Sequence, residues 1–429
     1  MSDRLARKLF LASAAALVLG GVFVWGYATR HLGTWPYGLI DDTRRVASSL
    51  VRYGRVVPEN LLVRAPAGAA GARTVVHDPA RMQAGWYVVS GWDPSREMYA
   101  AWLLDDEGAE HHVWPIVYAR VDPDGPLNGA GAPHGLVVMA DGSLLVNFDQ
   151  GDAMGRLDPC GEPIWVRQGI FHHSFDRDDD GSVWTWHAQG TPYGHHHDLL
   201  RFDPDTGEPL EIISLVDDVI RRDVTAEMVL ATRGDFGFRH FARTPNDPTA
   251  IDLYHPNDIE VLNAIDAAAF PDFAAGDLLI SVRNLDLIAV LDRQDHHLKW
   301  WCHGPWIEQH DPDFLPDGRI SVYANNPGHG RSEIVTVTPG SGRLANDLHD
   351  GPVRFVAPSM GKHQYLPDGN VLIVVPAEGR VLVTTPDGLP VFEFNNVVPG
   401  LAGMHAHVAN AVWLPPDHFA TLPGCATAP

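Results

Sequence analysis

One phrase recurs along this 429-residue chain, and it limits the fold more than any other feature. His134 opens HGLVVMADGSLLV, His173 opens HSFDRDDDGSVWTW and His310 opens HDPDFLPDGRISVY. In each copy a turn glycine, Gly142, Gly181 or Gly318, stands eight residues after the histidine. A looser copy, KHQYLPDGNVLIV, has His363 six residues before Gly369, and HPNDIEVL carries His255 with a longer gap before GDLLISVRN. Repeats of this kind mean a fold assembled from copies of one unit. Copies that each hold a histidine at one point can aim those histidines at one place.

The unit reads as short strands separated by turn signals. MADGSLLVNFD runs on to GRLDPCGEPIWV, and DDDGSVWTWH runs on to HDLLRFDPDTGEPLEII. LPDGRISVYANN and LPDGNVLIVVPAEGRVLVTTPDGLPVFEF have the same shape, and MQAGWYVVSGWDPSREMYAAWLLDDEGAEHHVWPI fits as a degenerate first copy. Six units of about four strands, none able to bury both faces alone, predict an all-β six-bladed β-propeller. The expected propeller covers 76–429, with an inserted helix and loop at about 214–250 lying over one face. In such a ring the innermost strand of each blade runs along the channel. A residue at the start of that strand therefore faces the channel mouth.

Before the repeats, Arg4, Arg7 and Lys8 precede an uncharged run from Leu9 to Thr29. At about 1.5 Å per residue it spans roughly 30 Å, the thickness of bilayer hydrocarbon. Residues 1–30 thus read as a cytoplasmic stub and transmembrane anchor, with the body on the extracytoplasmic side, periplasmic or at the outer face of the inner membrane. A cleaved signal peptide is the competing reading, with 26–28 as its cleavage site. Residues 31–75 read as a connector with a short amphipathic helix over 39–54. A net charge of −23 excludes a nucleic-acid partner, which needs a surplus of Lys and Arg. Cys160, Cys302 and Cys425 form no CxxC pair, leaving either one disulfide with one thiol or three thiols.

The densest chemistry lies in 255–331. His255 begins HPNDIE, Arg283 ends the apolar strand in GDLLISVRN, and His310 sits in EQHDPDFLPDG. Two imidazoles and a guanidinium suit a tetrahedral oxyanion. These segments, in this order, with NN and SEIVTVTP following, HHSFDRDDDGSVW before them and LPDGNVLI after, resemble the bacterial arylsulfotransferase (arylsulfate sulfotransferase) family over most of 76–415. The resemblance implies a propeller of the cell envelope that moves a sulfuryl group from an aryl sulfate to another phenol through a sulfated histidine, with no nucleotide donor, cofactor or metal. It implies that His310 takes the sulfuryl group. It places His255 and Arg283 on the sulfuryl and phenolic oxygens, and makes His173 the remaining active-site histidine, chosen over His172 by glycine spacing. Ping-pong kinetics follow from a histidine nucleophile. Asn325 and Asn326, after the His310 strand, are expected to touch substrate. A non-catalytic envelope propeller that binds a ligand or a protein partner is the alternative, and a metal-dependent hydrolase is the third reading.

Other motifs carry plainer readings. DRDDDG at 176–181 starts like a calcium loop but has His187 where the glutamate should be, and reads as a turn. The pairs at 111–112 and 296–297 and the triplet at 195–197 read as surface loop histidines, because neighbours on a strand face opposite ways. His405 and His407 alternate and are expected to share one strand face. His134 and His363 either line the channel or hydrogen-bond between blades.

Overall fold

The computed structural model describes residues 3–31, 43, 61–69, 71–125, 131–149, 151–190, 196–230, 253–346, 348 and 351–425. Apart from Thr43, the helix expected over 39–54 lies outside them, as does the insertion beyond residue 230. The chain divides into two compact units, Met1–Leu62 and Val63–Pro429. In the first, a helix covers Asp3–His31, and its stretch Arg7–Thr29, with mean hydropathy 2.1, is long and apolar enough to cross a membrane.

The second unit is a six-bladed β-propeller. Each blade is an antiparallel sheet of four strands, and the last has a fifth. Blades 2 to 5 are continuous in sequence. They open with Pro133–Val138, Ile170–Arg177, Pro256–Val261 and His310–Phe314, and the first strands of blades 2 to 5 touch one another in succession around the channel. Blade 6 opens with His363–Tyr365. Blade 1 takes its innermost strand, Val408–Leu414, from the end of the chain and its other three from Trp86–Ile116. Thr74–Val76 in turn adds a fifth, outermost strand to blade 6. The ring is therefore latched twice, once on its inside and once on its outside.

The middle strands explain the apolar runs of the sequence. Leu278–Val282, Leu287–Leu291, Ile320–Ala324 and Val371–Val375 are buried at every residue, because a neighbouring blade covers each face. Outer strands such as Pro163–Gln168 alternate half-buried and exposed, as half-covered strands must. The core is thus a set of layers between blades. The layer between blades 3 and 4 holds Trp184, Trp186, Ile259 and Ile280. Leu215 and Val219 of the insertion's first helix, Leu215–Ile220, pack into that layer, as does Ala226 of its second, Val224–Val229.

The D-G phrase is a turn with a mechanism. Asp141, Asp180, Asp317 and Asp368 each accept, through Oδ1, the amide two residues on. Gly142, Gly181, Gly318 and Gly369 follow with φ between 83° and 86°, the left-handed region that only glycine enters freely. Each turn reverses the innermost strand into the second. In DRDDDG the four carboxylates serve different partners, Asp179 accepting from Ala264 N. Asp176 accepts from Val261 N, Asp178 from Trp184 Nε1, and Asp180 caps the turn.

Toward the channel mouth the innermost strands share a second device. Register slips by a bulge between Pro133 and Leu136, His172 and Phe175, Pro256 and Asp258, His310 and Asp313, and Val408 and Asn410. His173 and Asp311 sit at these bulges with φ of 62° and 51°, and His255, just before the blade-4 strand, has φ of 44°. Bulges re-aim side chains, and residues held in such conformations gather at functional sites.

Cys160 and Cys425 form a disulfide that ties the C-terminal tail to blade 2. Cys302 is a half-buried free thiol.

Candidate active site

The bulges bring the repeated histidines together at one mouth of the channel. His134, His173 and His310, with Asn257, Asp311 and Lys362 among others, line one pocket. The rings of His134 and His173 lie 4.2 Å apart, and the ring of His255 meets that of His173 edge-on at 5.0 Å. His173 is braced through its carbonyl, which accepts from Asn147 Nδ2 at 3.3 Å. Gly135 lets this approach happen, since a Cβ there would stand 2.6 Å from the same carbonyl.

His310 is the most fully specified of the set. Its Nδ1 donates to Asn325 Oδ1 at 2.7 Å and lies 3.1 Å from Glu308 O. Asn325 is itself fixed, because its Nδ2 donates to Ala357 O and Met360 O at 2.7 and 2.5 Å. The amide therefore offers only its oxygen to the imidazole. That settles the tautomer: the proton sits on Nδ1, and Nε2 carries the lone pair. Burial holds the ring neutral down to about 3, with Arg283, His255 and His134 adding to the effect and the Asn325 bond opposing it. Next to it in the sequence, Gln309 donates to Ser281 Oγ and Leu287 O, pinning the start of blade 5 to blade 4.

Arg283 follows the strand Leu278–Val282 in a short 3₁₀ turn, Arg283–Leu285, and its backbone N donates to His255 O at 3.3 Å. Its Nη2 pairs with Glu308 Oε2 at 2.8 Å. Its Nε is buried with no protein partner, as are His134 Nδ1 and Asn257 Oδ1. Orphaned polar atoms of this kind call for an explanation, and around a pocket the simplest is a polar ligand.

Asn325 and Asn326 go separate ways. Asn325 holds His310 as described. Asn326, with φ of 49°, accepts Ile307 N on its Oδ1 at 3.0 Å and braces the loop that carries Glu308.

Deeper in the channel lies a belt of carboxylates around one lysine. Lys362 Nζ reaches Asp311 Oδ1 at 2.5 Å and Asp258 Oδ1 at 3.5 Å. Burial would raise the Asp311 carboxyl, but the Lys362 ammonium and His363 outweigh it and hold it below the usual range. With less compensation, burial pushes Asp176 and Asp258 up to about 7 and Glu260 and Asp313 well above their ordinary values. His363 hydrogen-bonds between blades, to Asp311 Oδ2 and Ser321 Oγ, rather than facing the mouth. Asp311, Asp313 and His363 offer ligand atoms within 4.8 Å of one another, as do the largely exposed Asp292, Asp295 and His297. The first trio's bonds to Lys362, Ser321 and each other already satisfy most of its atoms.

Blade 6 departs from the repeat. Counting eight residues back from Gly369 gives Gly361, not a histidine, and Gly361 lines the pocket with φ of 111°. A fifth histidine of the ring comes from elsewhere: His407, immediately before the closing strand, perturbs His134 and is itself lowered to about 4 by burial. It does not share a face with His405, whose Nδ1 bonds Glu378 O. His197 also departs from the surface reading. It is fully buried, at the first position of the strand His197–Phe202, and its Nδ1 lies 3.2 Å from His172 Nε2. Asn257, Asp311 and Lys362 were visible in HPND, QHDP and GKH only as neighbours of histidines.

The profile of the family described as Arylsulfotransferase (ASST) matches residues 135–397, more than half of the chain and the whole stretch carrying His173, His255, Arg283 and His310. No curated protein matches. Among solved structures, a protein of unknown function from Bacteroides caccae is 12% identical, with a TM-score of 0.45 over 76% of this chain and 99% of that one. TolB from Acinetobacter baumannii is 10% identical, with a TM-score of 0.45 over 77% of this chain and 67% of that one. Selenomethionine-substituted virginiamycin B lyase from Staphylococcus aureus is 13% identical, with a TM-score of 0.34 over 64% of this chain and 73% of that one. Those likenesses are too distant to bear on chemistry. On the family match, joined to the six-bladed ring, this chain belongs to the arylsulfotransferase (ASST) family.

Proposed function

We propose that this protein transfers a sulfuryl group from an aryl sulfate ester to a phenol in two steps through His310, without a nucleotide sulfate donor. The observation that carries the reading is the locked tautomer of His310, whose Nε2 holds a lone pair while Asn325 keeps the proton on Nδ1. In the first step Nε2 forms a bond to sulfur and the bond from sulfur to the aryl oxygen breaks. The departing phenolate takes a proton from His173. Arg283 and His255 hold the sulfuryl oxygens, where charge builds as the group is transferred. In the second step the acceptor's oxygen bonds to sulfur, its proton goes to His173, and the bond from sulfur to Nε2 breaks. Asn325 acts on His310, and Asn326 acts on the loop before it.

The same reading puts the propeller outside the cytoplasm, on a single membrane anchor. Arg4, Arg7 and Lys8 ahead of the apolar helix support that orientation, and the Cys160–Cys425 disulfide suits an oxidising compartment. Purified protein given an aryl sulfate and a phenol acceptor is expected to release the donor phenol and form the new ester, and His310→Asn is expected to do neither. Equal turnover by the variant would overturn the proposal.

A further inference from the structure

Behind His173 the imidazoles continue. His172 Nδ1 lies 2.7 Å from His173 Nδ1, and His172 Nε2 lies 3.2 Å from His197 Nδ1. Adjacent strand residues normally point to opposite faces. Here the bulge after His172, and the φ of 62° at His173, turn the two rings toward each other. His172 and His197 are 3% and 0% exposed. His197 packs against Trp186, and His173 lines the pocket, so its Nε2, the nitrogen not bonded to His172, is the pocket end of the chain.

Each nitrogen-to-nitrogen contact holds one proton, so the three rings are coupled. If His172 Nδ1 donates, His173 must carry its own proton on Nε2 and faces the pocket as a donor. If His173 Nδ1 donates, its Nε2 faces the pocket bare, and His172 Nε2–H must donate to His197. Moving the two shared protons along the chain, as one proton leaves His173 Nε2 and another enters at His197 Nε2, converts one state into the other. We propose that His172 and His197 are positioning residues that form a proton relay with His173, making it a donor in the first sulfuryl transfer and an acceptor in the second. This rests on the transfer reading given above.

When the anionic sulfate ester binds, the three rings together take up one proton from solvent beyond neutrality. His173 Nε2–H gives a proton to the leaving phenolate, and the rings are left neutral with that Nε2 bare. The acceptor phenol returns the proton to it as the new ester forms, and the ester leaves with its negative charge. The relay lets the positive charge spread from His173, which the rings of His134, His255 and His310 crowd, to His172 and His197. His187 is the next imidazole beyond the chain and perturbs His172.

The test compares donors with poor and good leaving groups. In His172→Gln, kcat/KM for phenyl sulfate is expected to fall about 100-fold, while that for 4-nitrophenyl sulfate, whose phenolate needs no proton, falls less than about threefold. His197→Gln is expected to show the same split. Equal losses for both donors, at an unchanged melting temperature, would mean a merely structural role and overturn the relay. Nitrogen-15 NMR of histidine-labelled protein reads the coupling without turnover. The ring nitrogens of His173 are expected to shift in both variants, and unchanged shifts would overturn the relay. If the wild type turns over no aryl sulfate, the transfer reading is lost, and the relay stands or falls on the NMR result.

Discussion

At the scale of single residues, the proposed transfer turns on who holds each proton. Asn325 is the clearest case. Asn325→Ala removes the nearer of the two acceptors on His310 Nδ1, leaving Glu308 O, and takes the donor from Met360 O while Ala357 O keeps only Ser332 Oγ. Losing buried partners of this kind costs about 1–3 kcal/mol. The rate of phenol release is expected to fall about 100-fold or more, because the wrong tautomer blunts Nε2. Steady-state kinetics beside a thermal melt separate the two effects, and a variant less stable but fully active would deny Asn325 its role. The acidity of His310 gives a second prediction. Its folded pKa, about 3, lies below the ordinary 6.5, so the neutral nucleophile persists as pH falls through 6.5 and is lost only near 3. Presteady-state sulfuryl transfer to the enzyme should therefore show no loss between pH 7 and 4.5; a limb near 6.5 would contradict it. Much of this set was legible: His134, His173 and His310 mark themselves by spacing, His255 by the HPND segment, and Arg283 by its place after an apolar strand. His172 and His197 were not legible, because the rule that strand neighbours point apart fails at a bulge, and a bulge leaves no mark in the residues flanking it.

At the scale of the element, one strand-and-turn unit does most of the positioning. The D-G turn fixes where the innermost strand ends, and the bulge fixes where its first side chains aim. The turn was readable because aspartate capping and left-handed glycine have a compositional signature. Blade 1 was the least readable, since its innermost strand is supplied from Val408–Leu414, far from its other three. Gly361 tests the idea that blade 6 exchanges a histidine for space. A Cβ at that position would stand 2.5 Å from the ring of Tyr323, and φ of 111° is strained for any other residue. Gly361→Ala is expected to destabilise by about 1–3 kcal/mol and to raise KM for aryl sulfates more than it lowers kcat. Denaturant melts and saturation kinetics check both, and a variant with unchanged KM would show that this side of the pocket does not meet substrate.

For the whole molecule, the ring gathers residues more than 270 positions apart, from His134 to His407, and its closure holds them there. Two strands latch it, and the disulfide Cys160–Cys425 spans 265 residues. Breaking that bond by Cys160→Ser frees the unfolded chain and is expected to cost about 2–5 kcal/mol. Thiol counting on unfolded, unreduced protein should find Cys302 alone, and a count of three would contradict the pairing. The number of blades followed from counting repeats, whereas the partner of each cysteine did not, because the pairing depends on where the tail lies after closure. The central claim is that His310 carries the sulfuryl group between two phenols. Its most direct measurement is mass spectrometry of the protein treated with an aryl sulfate and no acceptor, then digested under mildly alkaline conditions. The peptide containing His310 should gain the mass of one SO₃ group in the wild type, lose it when a phenol is added, and never gain it in His310→Asn. Phenol release with no sulfated peptide, or with the group on another residue, would contradict the account.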